Sequence, residues 1–260
     1  VLDYSALDEA SKTLIKTADL MVIRDPYVIL GLVIIGVFIL FVFSKMPDSS
    51  DTSSNKNIGV IFKKLAKNSR YSQGVIAQVF YVGAQIMCWT YIYQYAEGIG
   101  IDSVTAGYYQ MAAFILFVFG RAVATFLFRF FNPGKLLLIF SLFAIISSTG
   151  VMLIDNYLGL YSLVAVSLFM SLMFPTIYGI ALGNLSEEES KIGSAGLVMA
   201  IVGGALMPKL QGMIIDIGGY SVDDVSILGM SEMNFSFILP LICFVFIAFY
   251  GMKNNTTIKN

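Results

Sequence analysis

Two glutamines set among apolar residues are the part of this sequence best suited to recognising a ligand. Gln78, Tyr81, Gln85, Trp89 and Tyr93 recur at steps of three or four through Gln78–Tyr95, QVFYVGAQIMCWTYIYQY. That spacing puts them on one helical face. Amides offer paired donors and acceptors to hydroxyl groups, and Trp and Tyr rings stack on the apolar faces of a pyranose. The stripe therefore has the chemistry a sugar requires. Amides can also bond neighbouring helices and serve only as packing glue, and spacing alone leaves both readings open. Lipid would not tolerate the amides on an exposed face, so the stripe must look into protein or a wet cavity.

The elements that position it are membrane helices by composition. Of 260 residues, 57% are hydrophobic and 13% charged, with a mean hydropathy of +0.80. An ordinary soluble domain is about 45–50% apolar and about 25% charged. The net charge of −1 gives no general attraction for nucleic acid. There is no histidine, which removes the commonest general base and metal ligand. Cys88 and Cys243 lie far apart in apolar runs, so neither a disulfide framework nor a thiolate metal site is expected. No cofactor motif, metal-ligand spacing or nucleophile elbow is present, and an enzyme is not expected.

The chain reads as an all-α membrane protein of seven spans. Residues 1–25 are of mixed polarity and predict an amphipathic helix at the membrane surface. Pro26–Met46 is the first span, with Pro26 suited to a helix start. Residues 47–72 read as a linker, Ser-rich at first and then with a short surface helix over 58–65. Further spans are expected over Gly74–Tyr95, Thr105–Phe131, Leu136–Ile154, Leu158–Leu182, Ile192–Ile215 and Phe235–Met252. Residues 73–252 thus form a six-helix unit, and 253–260 a polar tail.

Loop 45–72 carries Lys45, Lys56, Lys63, Lys64, Lys67 and Arg70, the 129–135 turn carries Arg129 and Lys135, and the tail carries Lys253 and Lys259. The turns at 97–102 and 155–156 and the acidic loop 216–232 have no Lys or Arg, while the 184–191 turn, which alternation groups with the basic loops, carries Lys191 against Glu187, Glu188 and Glu189. The positive-inside rule places the basic loops and the C-terminus in the cytoplasm, and residues 1–25 outside.

Other residues carry weaker signals. Ser167, Ser171, Pro175 and Tyr178 share a stripe of the fifth span, and Pro175 would free the carbonyl of Ser171. A broken helix at mid-membrane suits a transporter site, and a bend absorbed by packing is an equal alternative. Gly196, Ala200, Gly203 and Gly204 allow close helix approach. Arg121 is an intramembrane charge, suited to a gate or a structural ion pair. No span holds an Asp or Glu near its middle.

Four motifs in order carry a family resemblance: AQVFYVGAQIMCWTY (Ala77–Tyr91), FGRAVAT (Phe119–Thr125), SLMFPTIYGIALGNL (Ser171–Leu185) and GSAGLVMAIVGGALMP (Gly193–Pro208). Over roughly 71–252 the chain resembles the fucose:proton symporters, in the fucose–galactose–glucose branch of the major facilitator superfamily. The resemblance implies twelve spans in two six-helix halves, of which this chain is similar to spans six to twelve. It implies sugar and proton as the transported partners, a first half that supplies the coupling carboxylates, and an inner-membrane location. It implies sugar contact by Gln78, Tyr81, Gln85 and Trp89, with Phe174, Thr176 and Tyr178 as further contacts. A glucose or galactose symporter, a uniporter and a non-transporting sugar sensor remain alternatives. Lys209 and the long loop 216–232 depart from the family pattern.

Overall fold

The computed structural model of the chain describes residues 9–43, 58–217, 219 and 226–255. The start of the expected linker, most of the acidic loop over 220–225 and the end of the tail lie outside the described residues. The chain divides into two units, Val1–Asn55 and Lys56–Asn260.

Among the described residues the first unit holds one helix, α1 (Glu9–Phe43), of 35 residues with Pro26 in its interior. A surface helix followed by a span starting at Pro26 was the expectation, and one continuous helix takes the place of both. Pro26 removes one backbone bond, and an apolar helix absorbs that single loss. Arg24 and Asp25 beside it pair at 2.8 Å.

The second unit is a helical bundle. In order it comprises α2 (Ile58–Lys67), α3 (Ser69–Thr90), α4 (Ile92–Gly98), α5 (Ser103–Leu127), α6 (Pro133–Leu153), α7 (Tyr157–Met170), α8 (Met173–Leu182), α9 (Glu187–Met199), α10 (Gly203–Ile215), α11 (Glu232–Ser236) and α12 (Ile238–Lys253). A two-residue hairpin, β1 (Ser226–Ile227) with β2 (Met230–Ser231), precedes α11. Five helical stretches are long and apolar enough to cross a membrane, and six if α3 and α4, bent by 42°, count as one. Three of these spans are interrupted. α3 and α4 part at Tyr91, α7 and α8 at Ser171–Leu172, and α9 and α10 at a 3-10 turn over Ala200–Val202.

Local chemistry sets the starts. Asn68, Asp102, Asn132, Asn156 and Ser186 cap α3, α5, α6, α7 and α9, each accepting a backbone N–H one to three residues into its helix. At Ser186 the capping box is complete, because Glu189 reaches back to the cap N–H. Hydrogen bonds from Thr105 hold the Asp102 carboxyl below the ordinary carboxylate range. That cap is therefore intact above the range and weakens only as pH falls below it.

Packing centres on α3, which touches α2, α7, α8, α9, α10 and α12. The small residues expected to permit close approach do so. A Cβ on Gly203 would collide with the backbone oxygen of Val79, and one on Gly83 would stand 2.5 Å from Met207 Cγ. Tyrosines on the packed faces donate to backbone carbonyls of neighbouring helices. Tyr71 reaches Gly193 O at 2.9 Å, Tyr91 reaches Pro208 O at 2.9 Å and Tyr250 reaches Arg70 O at 3.3 Å. Cys88 and Cys243 are free thiols, both buried. α2 docks through Leu65, which packs with Tyr71, Ala181 and Leu197, and through a 2.6 Å ion pair between Lys64 and Glu189.

Gly203→Ala is expected to cost about 1–3 kcal/mol, because a backbone oxygen cannot give way as a side chain can. Gly179→Ala, where nothing lies within 4 Å of the added carbon, should be neutral or slightly stabilising. Unfolding of both variants in detergent, followed by circular dichroism against denaturant, checks the contrast.

Candidate substrate-binding site

The amide–aromatic stripe lies on α3, and its members have different fates. Gln78 and Tyr81 are fully buried. Neither atom of the Gln78 amide has a hydrogen-bond partner, and neither does the Tyr81 hydroxyl. Gln85 and Trp89, one and two turns further on, are half-buried. Tyr93 falls beyond the bend at Tyr91, on α4, and is 42% exposed. The helical spacing that joined it to the stripe therefore ends at Thr90.

Trp89 is engaged with neighbouring helices. Its Nε1 donates to Ser167 Oγ on α7 at 3.2 Å. Its ring meets the edges of Phe114 and Phe117 on α5 at 4.9 and 5.1 Å. Gln78 and Tyr81 have no such polar engagement. An unmade bond at a buried amide or hydroxyl costs about 1–3 kcal/mol.

The fifth span supplies the opposite wall. Its break follows from two local causes. The Ser171 hydroxyl bonds Leu168 O at 2.7 Å, and Pro175 cannot donate to the Ser171 carbonyl, so a new helix starts at Met173 with Pro175 in its first turn. The restart aims Phe174 and Tyr178 together at α3. Their rings are stacked, 6.4 Å apart and 13° from parallel, and Phe174 meets Tyr81 at 6.0 Å, edge to face. Tyr81, Phe174 and Tyr178 are thus brought together.

Thr176 is not part of this group. It is 4% exposed, its hydroxyl donates to Leu172 O at 2.6 Å, and it lines a different space. That space is a cavity of about 350 Å³ at the end of the bundle where Arg70, Asn132, Asn184 and Asn254 meet. These residues come from the loops and helix ends that the sequence groups as basic, so the alternation of loop ends holds within this unit.

Arg121 stands on the exposed surface of α5 within electrostatic reach of the Tyr81 hydroxyl. It makes no ion pair among the described residues, which leaves its charge available to a group outside the bundle. Among the described residues no group of three His, Cys, Asp or Glu side chains could hold a metal ion. One buried group escaped the sequence reading. Glu232, placed in the acidic loop by its neighbours, is fully enclosed. Its signal was its position one turn before an apolar span.

Comparison with known proteins places this arrangement. The chain is 48% identical over 253 residues to the L-fucose-proton symporter of Haemophilus influenzae, across 97% of this chain and 57% of that protein. It is 28% identical over 258 residues to a glucose/galactose transporter of Brucella abortus, again across 97% of this chain and 57% of that protein. A crystal structure of the Escherichia coli fucose:proton symporter superposes with a TM-score of 0.78 at 26% identity, covering 97% of this chain and 60% of that one. The chain spans a little over half the length of the relatives it matches. Residues 19–208 match the model of the Major Facilitator Superfamily, and the chain belongs to that family of multi-pass membrane transporters.

Proposed function

We propose that this chain is the second half of a sugar:proton symporter, with L-fucose as the sugar. It takes the place of spans six to twelve, lies in the inner membrane with its C-terminus in the cytoplasm, and works with the first five spans, which complete the first half and supply the proton-coupling carboxylates. The observation that carries the reading is the buried Gln78–Tyr81 pair. Three polar atoms without partners belong to Gln78 and Tyr81 on α3, and the Tyr81 ring meets Phe174 of the stacked Phe174–Tyr178 pair; hydroxyls and a ring face of a sugar would satisfy that combination. The names of the 48% identical relative and of the superposed structure support fucose.

Transport then follows by alternating access, the two halves rocking about a midplane site. Gln85, half-buried, is the reachable end of the stripe. Gln78 and Tyr81 are enclosed, so the sugar meets them only when α3 parts from its neighbours. Trp89 holds α3 to α7 and α5 and so sets the position of the wall. The Brucella relative favours a second reading in which the sugar is glucose or galactose.

Gln85→Ala in the whole transporter should weaken sugar binding by about 1–3 kcal/mol, roughly five- to 150-fold in Kd. Isothermal titration with L-fucose, and competition by D-glucose and D-galactose, measures this; an unchanged Kd makes Gln85 a packing residue. Trp89→Phe should lower thermal stability through the lost Ser167 bond more than it alters affinity. Vesicles holding this chain alone are expected to show no fucose-driven proton uptake, and robust uptake would overturn the two-half reading.

A further inference from the structure

The cavity that Thr176 lines holds a positive charge and no counter-charge. Arg70, in the first turn of α3, is its one charged wall residue. Asn132, Asn184 and Asn254 supply amides, and Phe128 and Ile180 part of the apolar wall. No Asp or Glu lines it. Arg70 makes no ion pair among the described residues. A guanidinium does not shed its charge at any ordinary pH, so this one is answered by an anion or by water.

The wall is arranged to give hydrogens. Arg70 Nη1 donates to Asn184 Oδ1 at 2.8 Å, with the Asn184 amide turned so that its nitrogen donates to Gly183 O at 3.0 Å. That bond braces one edge of the guanidinium. The Nε–H is shut off from water and meets no acceptor. A small turn toward the cavity would present Nε and Nη2 together, the fork that two phosphate oxygens accept. Asn132 spends its oxygen on the cap of α6, accepting from Gly134 N at 2.8 Å, which leaves its NH2 branch for a ligand. Asn254 differs. Its Nδ2 donates to Tyr250 O at 2.8 Å, so it offers an oxygen, suited to a water or to a protonated phosphate oxygen.

The surroundings have the same sign. Arg129, Lys135 and Lys253 each stand one or two residues from a wall residue. Lys135 lies over the Phe131 ring, and Lys253 donates to Gln73 Oε1. The acids at this end face elsewhere. Glu189 lines a separate recess beyond Asn184 and pairs with Lys64 at 2.6 Å, Glu187 lies 3.6 Å from Lys191, and Glu188 is exposed. The cavity volume, about 350 Å³, exceeds several-fold what one water needs.

We propose that this cavity binds a phosphate group, carried by a free phosphate ion or by the headgroup of an anionic phospholipid, with Arg70 and Asn132 as its donors. A tetrahedral phosphate gives two oxygens to the Arg70 fork and keeps others for Asn132, which a planar carboxylate does not. Bound there, it ties the start of α3 to the start of α6 and, through Asn184, to the turn after α8. The proposal does not rest on the transport reading, because binding is read without sugar or proton movement.

The test uses the intact transporter in two arms. In the first, inorganic phosphate is titrated calorimetrically into the protein in a neutral maltoside detergent, with chloride held constant. In the second, the melting temperature is followed in phosphatidylcholine nanodiscs as phosphatidylglycerol is added. A saturable response is expected in at least one arm: in the first alone the ligand is the free ion, in the second alone the headgroup, in both either source serves. Arg70→Lys keeps the charge but not the fork and should weaken binding about tenfold. Asn132→Asp keeps the helix cap and puts an anionic oxygen where the NH2 was, so it should abolish the response; it decides the matter if Arg70→Lys does not fold. Lys135→Gln, an exposed charge at the same end, should leave the affinity within about twofold. No saturation in either arm, a response that survives Asn132→Asp, or one that chloride reproduces would overturn the proposal. So would a melting temperature that Arg70→Lys lowers equally with and without phosphate and phosphatidylglycerol, which would assign Arg70 to a carboxylate of the first half.

Discussion

The close contact between α3 and α10 is the constraint on which the rest of the bundle depends. Gly203 lies against the Val79 backbone, and the Met207 side chain fills the space left open at Gly83, so the two helices approach closely along this seam. At that separation dispersion forces act between backbones, which is the main attraction open to helices whose other solvent is lipid. The contact also fixes the rotation of α3. With Gly83 and Val79 turned to α10, the residues Gln78, Tyr81 and Gln85 are committed to a different face. The direction of the amide stripe is in this sense a consequence of where the glycines are.

Hydrogen bonds to backbone carbonyls then set the ends of α3. Tyr71 anchors one end on Gly193, and Tyr91, at the bend beyond the other, anchors on Pro208. Both acceptors sit in the span made of α9 and α10, one on each of its two segments. Three interrupted spans in one bundle place short helix segments around the stripe, and each segment can tilt by changing a few dihedrals at its junction.

Much of this was legible in the sequence, for reasons that differ by element. The spans over α6 and α12 announce themselves because a charge-free run of that length has few alternatives. The bend at Tyr91 was not legible, since it is held by a bond to Pro208, 117 residues away. Tyr93 was placed on the stripe by a periodicity that this bend ends. Pro26 read as a helix start because proline is suited to one, whereas the helix runs through it. Thr176 looked like a site residue beside Phe174 and Tyr178, but it stands two residues from each, and two steps of about 100° turn it to another cavity. Glu232 read as solvated because its neighbours in sequence are polar, and only the tertiary fold encloses it.

The two buried thiols have a use that their inertness does not suggest. Cys88 sits on α3 and Cys243 on α12, a packed pair of helices. A maleimide cannot reach either while that pair stays closed. The alkylation rate of the unmodified chain therefore counts openings of the α3–α12 seam, and a ligand that closes or parts the seam will slow or speed that clock without any engineered label.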